Sequence, residues 1–448
     1  MLGLLARQPP FEWAIPRETW TPLFAMRYLK HYQLLFTTAL LLVATLGLAS
    51  EFRTVQPETV GISSERLDRL RDQFQNYVDE EKLPGSTVLV ARRGKIAFYE
   101  SFGYRDLESK SPLRNDAIFR IASQSKAIIS VGIMVLQEEG RLLISDAVGK
   151  YIPEFNETTV AEKNAVGYKV VKAKRKITIR DLLTHTAGIG YGGGSAKAEW
   201  EAAGITGWYF ADRDEPIAET IKRIPSLPFD AQPGERFVYG YNTDILGAVI
   251  EAASGQALDQ FLAEKVLRPL AMNDTHFYLP EAKVDRLATV YSSADNGLER
   301  APDPGHMVGQ GAYVKGPRKS FSGGAGFLST ANDYGRFLQM LLNGGRLDGQ
   351  RVLAPSSVKL MTVDHIGDIE FGGTGVGFGL GFSVLKDLGA RGTPGAVGEF
   401  GWGGAYHSTY WVDPKHELVV VYFTQLIPAR GVDDHSKLRT LVYQALID

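Results

Sequence analysis

From Ala127 to Glu139 the chain is apolar on nearly every side of a helix, and Gly140 closes the run. A surface helix keeps a polar stripe, so a helix without one has to be enclosed by other elements. Gly140 suits its C-terminal cap, where a left-handed backbone is favoured. The flanking segments are read as what encloses it. Ser86 to Ala91, a turn at Arg92-Arg93-Gly94-Lys95 and Ile96 to Tyr99 predict a β-hairpin. Further helices are expected at 178–184, 214–224, 243–253 and 256–265, and extended segments at Gly375 to Phe382, Ser408 to Val412 and Leu418 to Thr424. Strands, then helices, then strands predict an α/β fold interrupted by a mostly helical insertion. The α/β part is expected at about 55–118 and 320–448, and the insertion at about 119–319.

With 44% apolar and 22% charged residues, the chain can build a large core. A formal charge of −2 lacks the basic surplus of a nucleic-acid-binding protein. The absence of cysteine excludes a disulfide, a thiolate nucleophile, a Cys-ligated metal and a lipid-modified N-terminal Cys. No His pair stands at H-x-x-x-H or H-E-x-x-H spacing, so no metal and no cofactor is expected. The basic cluster Lys169, Lys172, Lys174, Arg175 and Lys176 is read as a solvated hairpin edge. The glycines of 372–381 are out of register for a nucleotide loop.

Residues 1–49 are read separately from a catalytic domain at 50–448. Arg27 and Lys30 precede an uncharged run from Leu34 to Ala49, ending in Gly47-Leu48-Ala49. That is the pattern of a signal peptide, and it predicts an exported protein, periplasmic or secreted. Met1 to Ala25 carries four prolines and resembles no targeting segment, so the expected start is Met26. The alternative is a membrane anchor formed by residues 34–49.

The chemistry centres on Ser123-Gln124-Ser125-Lys126. A Ser and a Lys three apart at a helix start share one face. A serine hydroxyl needs a base to take its proton, and apolar burial of the kind the following helix offers lowers a lysine pKa. S-x-x-K arises about once or twice by chance in a chain this long, and it recurs at Ser356-Ser357-Val358-Lys359. The second copy follows Pro355 on an exposed amphipathic helix and is read as ordinary surface. The first lies between the strand-like Ile118-Phe119-Arg120-Ile121 and the buried helix.

The surrounding blocks are specific. Phe119 to Ser123 with Lys126, and Gly140-Arg141-Leu142 through Asp146, resemble the β-lactamase-related serine hydrolases: class C β-lactamases, penicillin-binding peptidases and family VIII carboxylesterases. The same superfamily is matched by Thr178 to Gly188, by Pro233-Gly234 to Tyr239 with Asp244 to Gly247, by Ser322 to Gly326 and by Gly401-Trp402-Gly403-Gly404, in the family's order from about residue 58. The resemblance implies a β-lactamase/transpeptidase-like fold, an antiparallel sheet flanked by helices. It makes Ser123 the nucleophile, Lys126 its proton acceptor and Tyr239 the catalytic tyrosine. Tyr241 stands where the family often has Asn, next to Asn242, and is expected at the substrate. Trp402-Gly403-Gly404 resembles the third motif, an edge strand along which substrate lies. By resemblance the oxyanion donors are the N–H groups of Ser123 and Ala405. His185 is expected to pack within the insertion. For His407 an orientation toward the site and one toward the outer face are equally open.

The expected function is an acyl-enzyme hydrolase, a carboxylesterase or acyl-transferring enzyme on small-molecule esters or amides. A β-lactamase or D-amino-acid peptidase is the alternative. It is disfavoured because Trp402 supplies no cation for a substrate carboxylate. A catalytically silent scaffold is the third reading, against which the Ser123, Lys126 and Tyr239 set argues.

Overall fold

The computed structural model describes residues 51–448; the expected signal segment, its start at Met26 and the alternative anchor all lie outside the described residues. In chain order the elements that bear on the site are α1 (Ser64–Asp79), β1 (Gly85–Arg92), β2 (Lys95–Asp106), β3 (Ser111–Pro112), β4 (Phe119–Arg120), α2 (Ser125–Glu138), α3 (Ile179–Leu183), α4 (Asn242–Ser254), β5 (Leu328–Ser329), α5 (Ala331–Leu342), β6 (Val376–Phe378), β7 (Ser383–Leu385), β8 (Phe400–Gly404), β9 (Ser408–Asp413), β10 (Leu418–Thr424) and α6 (Asp434–Gln444).

Eight strands form one antiparallel sheet in the order β6-β7-β8-β9-β10-β1-β2-β3. The apolar run of β10 has no polar alternation because both faces of the sheet are covered. Val420 and Tyr422 of β10, with Val88 and Val90 of β1, pack against α1 and α6. Val419, Val421, Phe423 and Leu89 join the larger core that includes α2 and α5. Period-2 alternation thus sends successive residues into two different cores. The β1–β2 hairpin closes through Arg93 and Gly94, both at positive φ (52° and 74°), as a two-residue turn matching the strand twist requires.

In α2 every side chain from Ser125 to Leu136 is buried, and α2 lies against α4. The run read as enclosed is therefore the central helix of the larger core. The expected strand at Gly375 to Phe382 is shorter than the sequence indicated. Only Val376–Phe378 is extended. Gly381, at φ 97°, then reverses the chain, and the Gly379 N–H bonds the Phe382 carbonyl. The region between β4 and β5 also holds two small hairpins, at 159–172 and 291–300. Of the basic cluster, Lys169 and Lys172 lie on the first, paired with Glu162 and Glu157; Lys174 follows it and pairs with Glu235, while Arg175 leaves the solvated edge to hold the mostly buried Asp181 with both guanidinium nitrogens. Ser356 and Lys359 are exposed on the short helix Pro355–Met361.

Candidate active site

The β4–β5 ladder is only two residues long, and the chain then turns through Ala122–Gln124 into α2. Ala122 is fully buried and holds a left-handed backbone, φ 44°. Such a conformation costs an L residue on the order of 1–3 kcal/mol and persists where surroundings over-determine it. The result is that Ser123 is half-buried between fully buried neighbours. One helical turn on, Lys126 is 2% exposed. Its Nζ donates to the Gly324 carbonyl (2.7 Å), to Tyr191 Oη (3.2 Å) and to Ser123 Oγ (3.4 Å). It also lies 4.6 Å from the centre of the Tyr239 ring, within the range of a cation–π contact.

The carbonyl that holds Lys126 is itself held. Asp244, buried in α4, accepts from Ser322 Oγ (2.6 Å) and from the Gly324 N–H (2.9 Å). The 322–326 turn therefore links a buried carboxylate to the lysine through a single residue, Gly324. Burial pushes the Asp244 carboxyl above its usual range, and the Lys126 charge works against that push. His185 lies on the other side. It is fully buried, its ring is 4.7 Å from that of Tyr239, and Asn242 Nδ2 lies 3.0 Å from its Nδ1. Burial, then the Lys126 charge, hold its imidazole well below its ordinary pKa of 6.5. It stays neutral and packs, as expected, without contacting Ser123.

Tyr239 and Tyr191 are brought to the lysine by a close backbone crossing. A Cβ on Gly240 would stand 2.2 Å from the Ile189 carbonyl oxygen, so only glycine lets the two tyrosine-bearing loops meet. Asn242 braces the same crossing through the Ile189 and Val238 carbonyls (3.2 and 3.1 Å). We expect Gly240→Ala to cost about 3 kcal/mol, the upper range for an overpacked contact, because its neighbour is backbone that cannot rotate away. Denaturant unfolding monitored beside esterase activity checks this; a variant as stable and active as wild type would contradict the crossing.

The placement of Tyr241 at substrate is corrected by the structure. Its side chain is fully buried, with its ring stacked on Trp200 and edge-on to Tyr191 and Phe210. Position 241 starts α4 and turns into the core, whereas Tyr239 precedes the helix and faces the cleft. Asn242 is likewise enclosed, which leaves Tyr239 as the tyrosine at the cleft. Tyr191 is the residue that sequence reading missed. Burial and the neighbouring Tyr239 and Asp244 push its phenol well above its ordinary pKa, so it keeps its proton.

The third motif is β8. Trp402 Nε1 donates to Tyr239 Oη at 3.1 Å. The β8–β9 connection presses on the segment around Ser123: a Cβ on Gly404 would come 2.5 Å from the Ile121 carbonyl oxygen, and Gln124 Nε2 donates to Ser408 Oγ (2.9 Å). Ala405 follows Gly404 in this turn. A cleft of about 850 Å³ opens here, lined by Ser123, Tyr239, Trp402, Gly403, Gly404 and Ala405. Its walls are Tyr191, Trp208 and Phe371, while Tyr406 lies buried behind Trp208. His407 borders the cleft, and its imidazole is turned to the start of α6, with Nε2 2.8 Å from Asp434 Oδ1 and its ring stacked on His435.

A half-buried serine on a turn, an enclosed lysine beside it and a small-residue strand thus meet at one open cleft. The family model described as Beta-lactamase matches residues 70–443. Esterase EstB of Burkholderia gladioli is 33% identical over 80% of this chain and 89% of its own length. Among solved structures, EstCE1, described as a hydrolase with promiscuous acyltransferase activity, superposes with a TM-score of 0.75 at 29% identity, covering 84% of this chain and 98% of that one. Simvastatin synthase LovD from Aspergillus terreus follows at TM-score 0.70 and 25% identity, covering 85% and 98%. The fold is the β-lactamase/transpeptidase-like one, and the chain belongs to the beta-lactamase family of serine hydrolases.

Proposed function

We propose that this hydrolase is a carboxylesterase or acyl-transferring enzyme acting on small esters through a Ser123 acyl-enzyme. The observation that carries the reading is Lys126, enclosed and aimed at Ser123 by the Gly324 carbonyl. In its neutral form the amine accepts the Ser123 proton as Oγ attacks the ester carbonyl. The proton then passes to the leaving alcohol, with the Tyr239 hydroxyl as the relay. The N–H groups of Ser123 and Ala405 stabilise the tetrahedral oxyanion, a contribution of about 3 kcal/mol per donor in such sites. Water or a second alcohol releases the acyl group.

The ester preference is supported by Trp402. The third-motif side chain is an indole whose N–H is already bonded to Tyr239, and the cleft walls are aromatic. The likeness to EstB and EstCE1 supports the same class. A β-lactamase or D-amino-acid peptidase remains the second reading, favoured by one observation: Arg391 lines the same cleft and is exposed there. The test is a panel of p-nitrophenyl esters of rising acyl length beside a chromogenic cephalosporin. Turnover of the short esters with little cephalosporin hydrolysis is expected; turnover of the cephalosporin alone would transfer the assignment to the second reading.

A further inference from the structure

His407 occupies a costly position. It sits in the β8–β9 turn with a left-handed backbone, φ 61°, where glycine would fit without strain. The opposing wall is the start of α6, where Asp434 is fully buried and His435 half-buried. His407 Nε2 lies 2.8 Å from Asp434 Oδ1, and the two imidazole rings face each other 4.2 Å apart. One ligand atom from each of His407, Asp434 and His435 falls within 4.8 Å of the others, and among the described residues this is the one such cluster. Both histidines line the cleft that contains Ser123.

We propose that His407, Asp434 and His435 form a binding site for a divalent transition-metal ion of the zinc class, on the wall of the active-site cleft. Two imidazoles and one carboxylate match the donor preference of that ion class, with the cleft side left for a water or ligand oxygen. The supporting shell is present. Tyr422 Oη donates to Asp434 Oδ2 at 2.5 Å, fixing the carboxylate. The His435 Nε2–H donates to the His407 carbonyl (3.3 Å), leaving Nδ1 with its lone pair. Orientation of metal-binding groups by such second partners is the usual arrangement. Binding replaces the His407–Asp434 contact and requires the facing rings to turn, which the half-buried positions of both histidines allow. The ion would tie the turn bearing Ala405 to α6. The site does not depend on the ester reading.

The experiment uses the full chain, stripped with a chelator and then titrated with Zn²⁺ against a chromophoric competitor, with Co²⁺ absorption as a second readout. One equivalent of Zn²⁺ is expected, with visible Co²⁺ bands of a four-coordinate N/O site. His407→Gly, which suits the left-handed backbone and so preserves the fold, is expected to weaken binding by about tenfold to a hundredfold, and His435→Gln to do the same. Absence of stoichiometric binding in the wild type overturns the proposal. So does binding that neither substitution weakens, which would put the ion elsewhere.

Discussion

Ser123→Ala is expected to abolish acylation. A fluorophosphonate probe that labels the wild type should leave the variant unlabelled, and intact-mass analysis with p-nitrophenyl butyrate should show no acyl adduct. The reason is covalent: among the described residues the hydroxyls hydrogen-bonded to Lys126 Nζ are those of Ser123 and Tyr191, and burial helps the Tyr191 phenol keep its proton. Lys126→Ala should reduce kcat/KM by at least about a hundredfold, the lower range for loss of a positioned base. It also leaves the buried Gly324 carbonyl without its donor, so thermal unfolding has to be followed in parallel. Lys359→Ala supplies the control. That lysine belongs to the second S-x-x-K and is exposed on a surface helix, so its loss should change neither rate nor stability. Undiminished turnover in Lys126→Ala would remove the lysine from the mechanism.

The second large effect concerns substrate charge. The wild type is expected to favour p-nitrophenyl butyrate over a cephalosporin by about two orders of magnitude or more in kcat/KM. A carboxylate desolvated without a partner costs about 3 kcal/mol or more, and at the third motif it meets an indole. Trp402→Lys should narrow the gap from both sides. The added ammonium favours the carboxylate, while loss of the indole N–H frees the Tyr239 hydroxyl, whose position the ester reaction uses. Comparable efficiency on both substrates in the wild type would mean that the carboxylate is held elsewhere. Arg391 is then the group to remove, since it is a cation on the same cleft.

What was legible in the sequence follows the range of the interactions. Ser123 and Lys126 are one helical turn apart, so local spacing exposes them, and the unbroken apolar face of α2 marks its own burial. Tyr239 and the β8 glycines were reached through resemblance, because nothing local distinguishes them from a helix start and a tight strand. Tyr241 was misplaced for a geometric reason: two residues apart across a helix start, one side chain faces the cleft and the other the core. Tyr191 lies three residues beyond the Thr178 to Gly188 block, and its role arises only where Gly240 lets a distant loop cross. Asp244 acts through a turn some eighty residues later. His407 and Asp434 are separated by β9 and β10, so no scan of histidine spacing could join them. Gly381 ended a strand early because glycine spacing alone does not separate extension from reversal.

The pairing of β1 with β10 has a temporal consequence. These two neighbours at the centre of the sheet come from opposite ends of the described chain, with the nucleophile between them and the β8 strand near the close. Loop-closure entropy delays such long-range pairing relative to the local contacts of α2 or the β1–β2 hairpin. Ser123 and Lys126 can share a helical turn early, but the β8–β9 turn that carries Ala405 cannot reach them until the final third of the chain exists and has docked. During synthesis, a chain without that turn is therefore expected to leave Ser123 without this wall of its cleft. Activity is therefore a property of the completed sheet, and its appearance marks the end of folding.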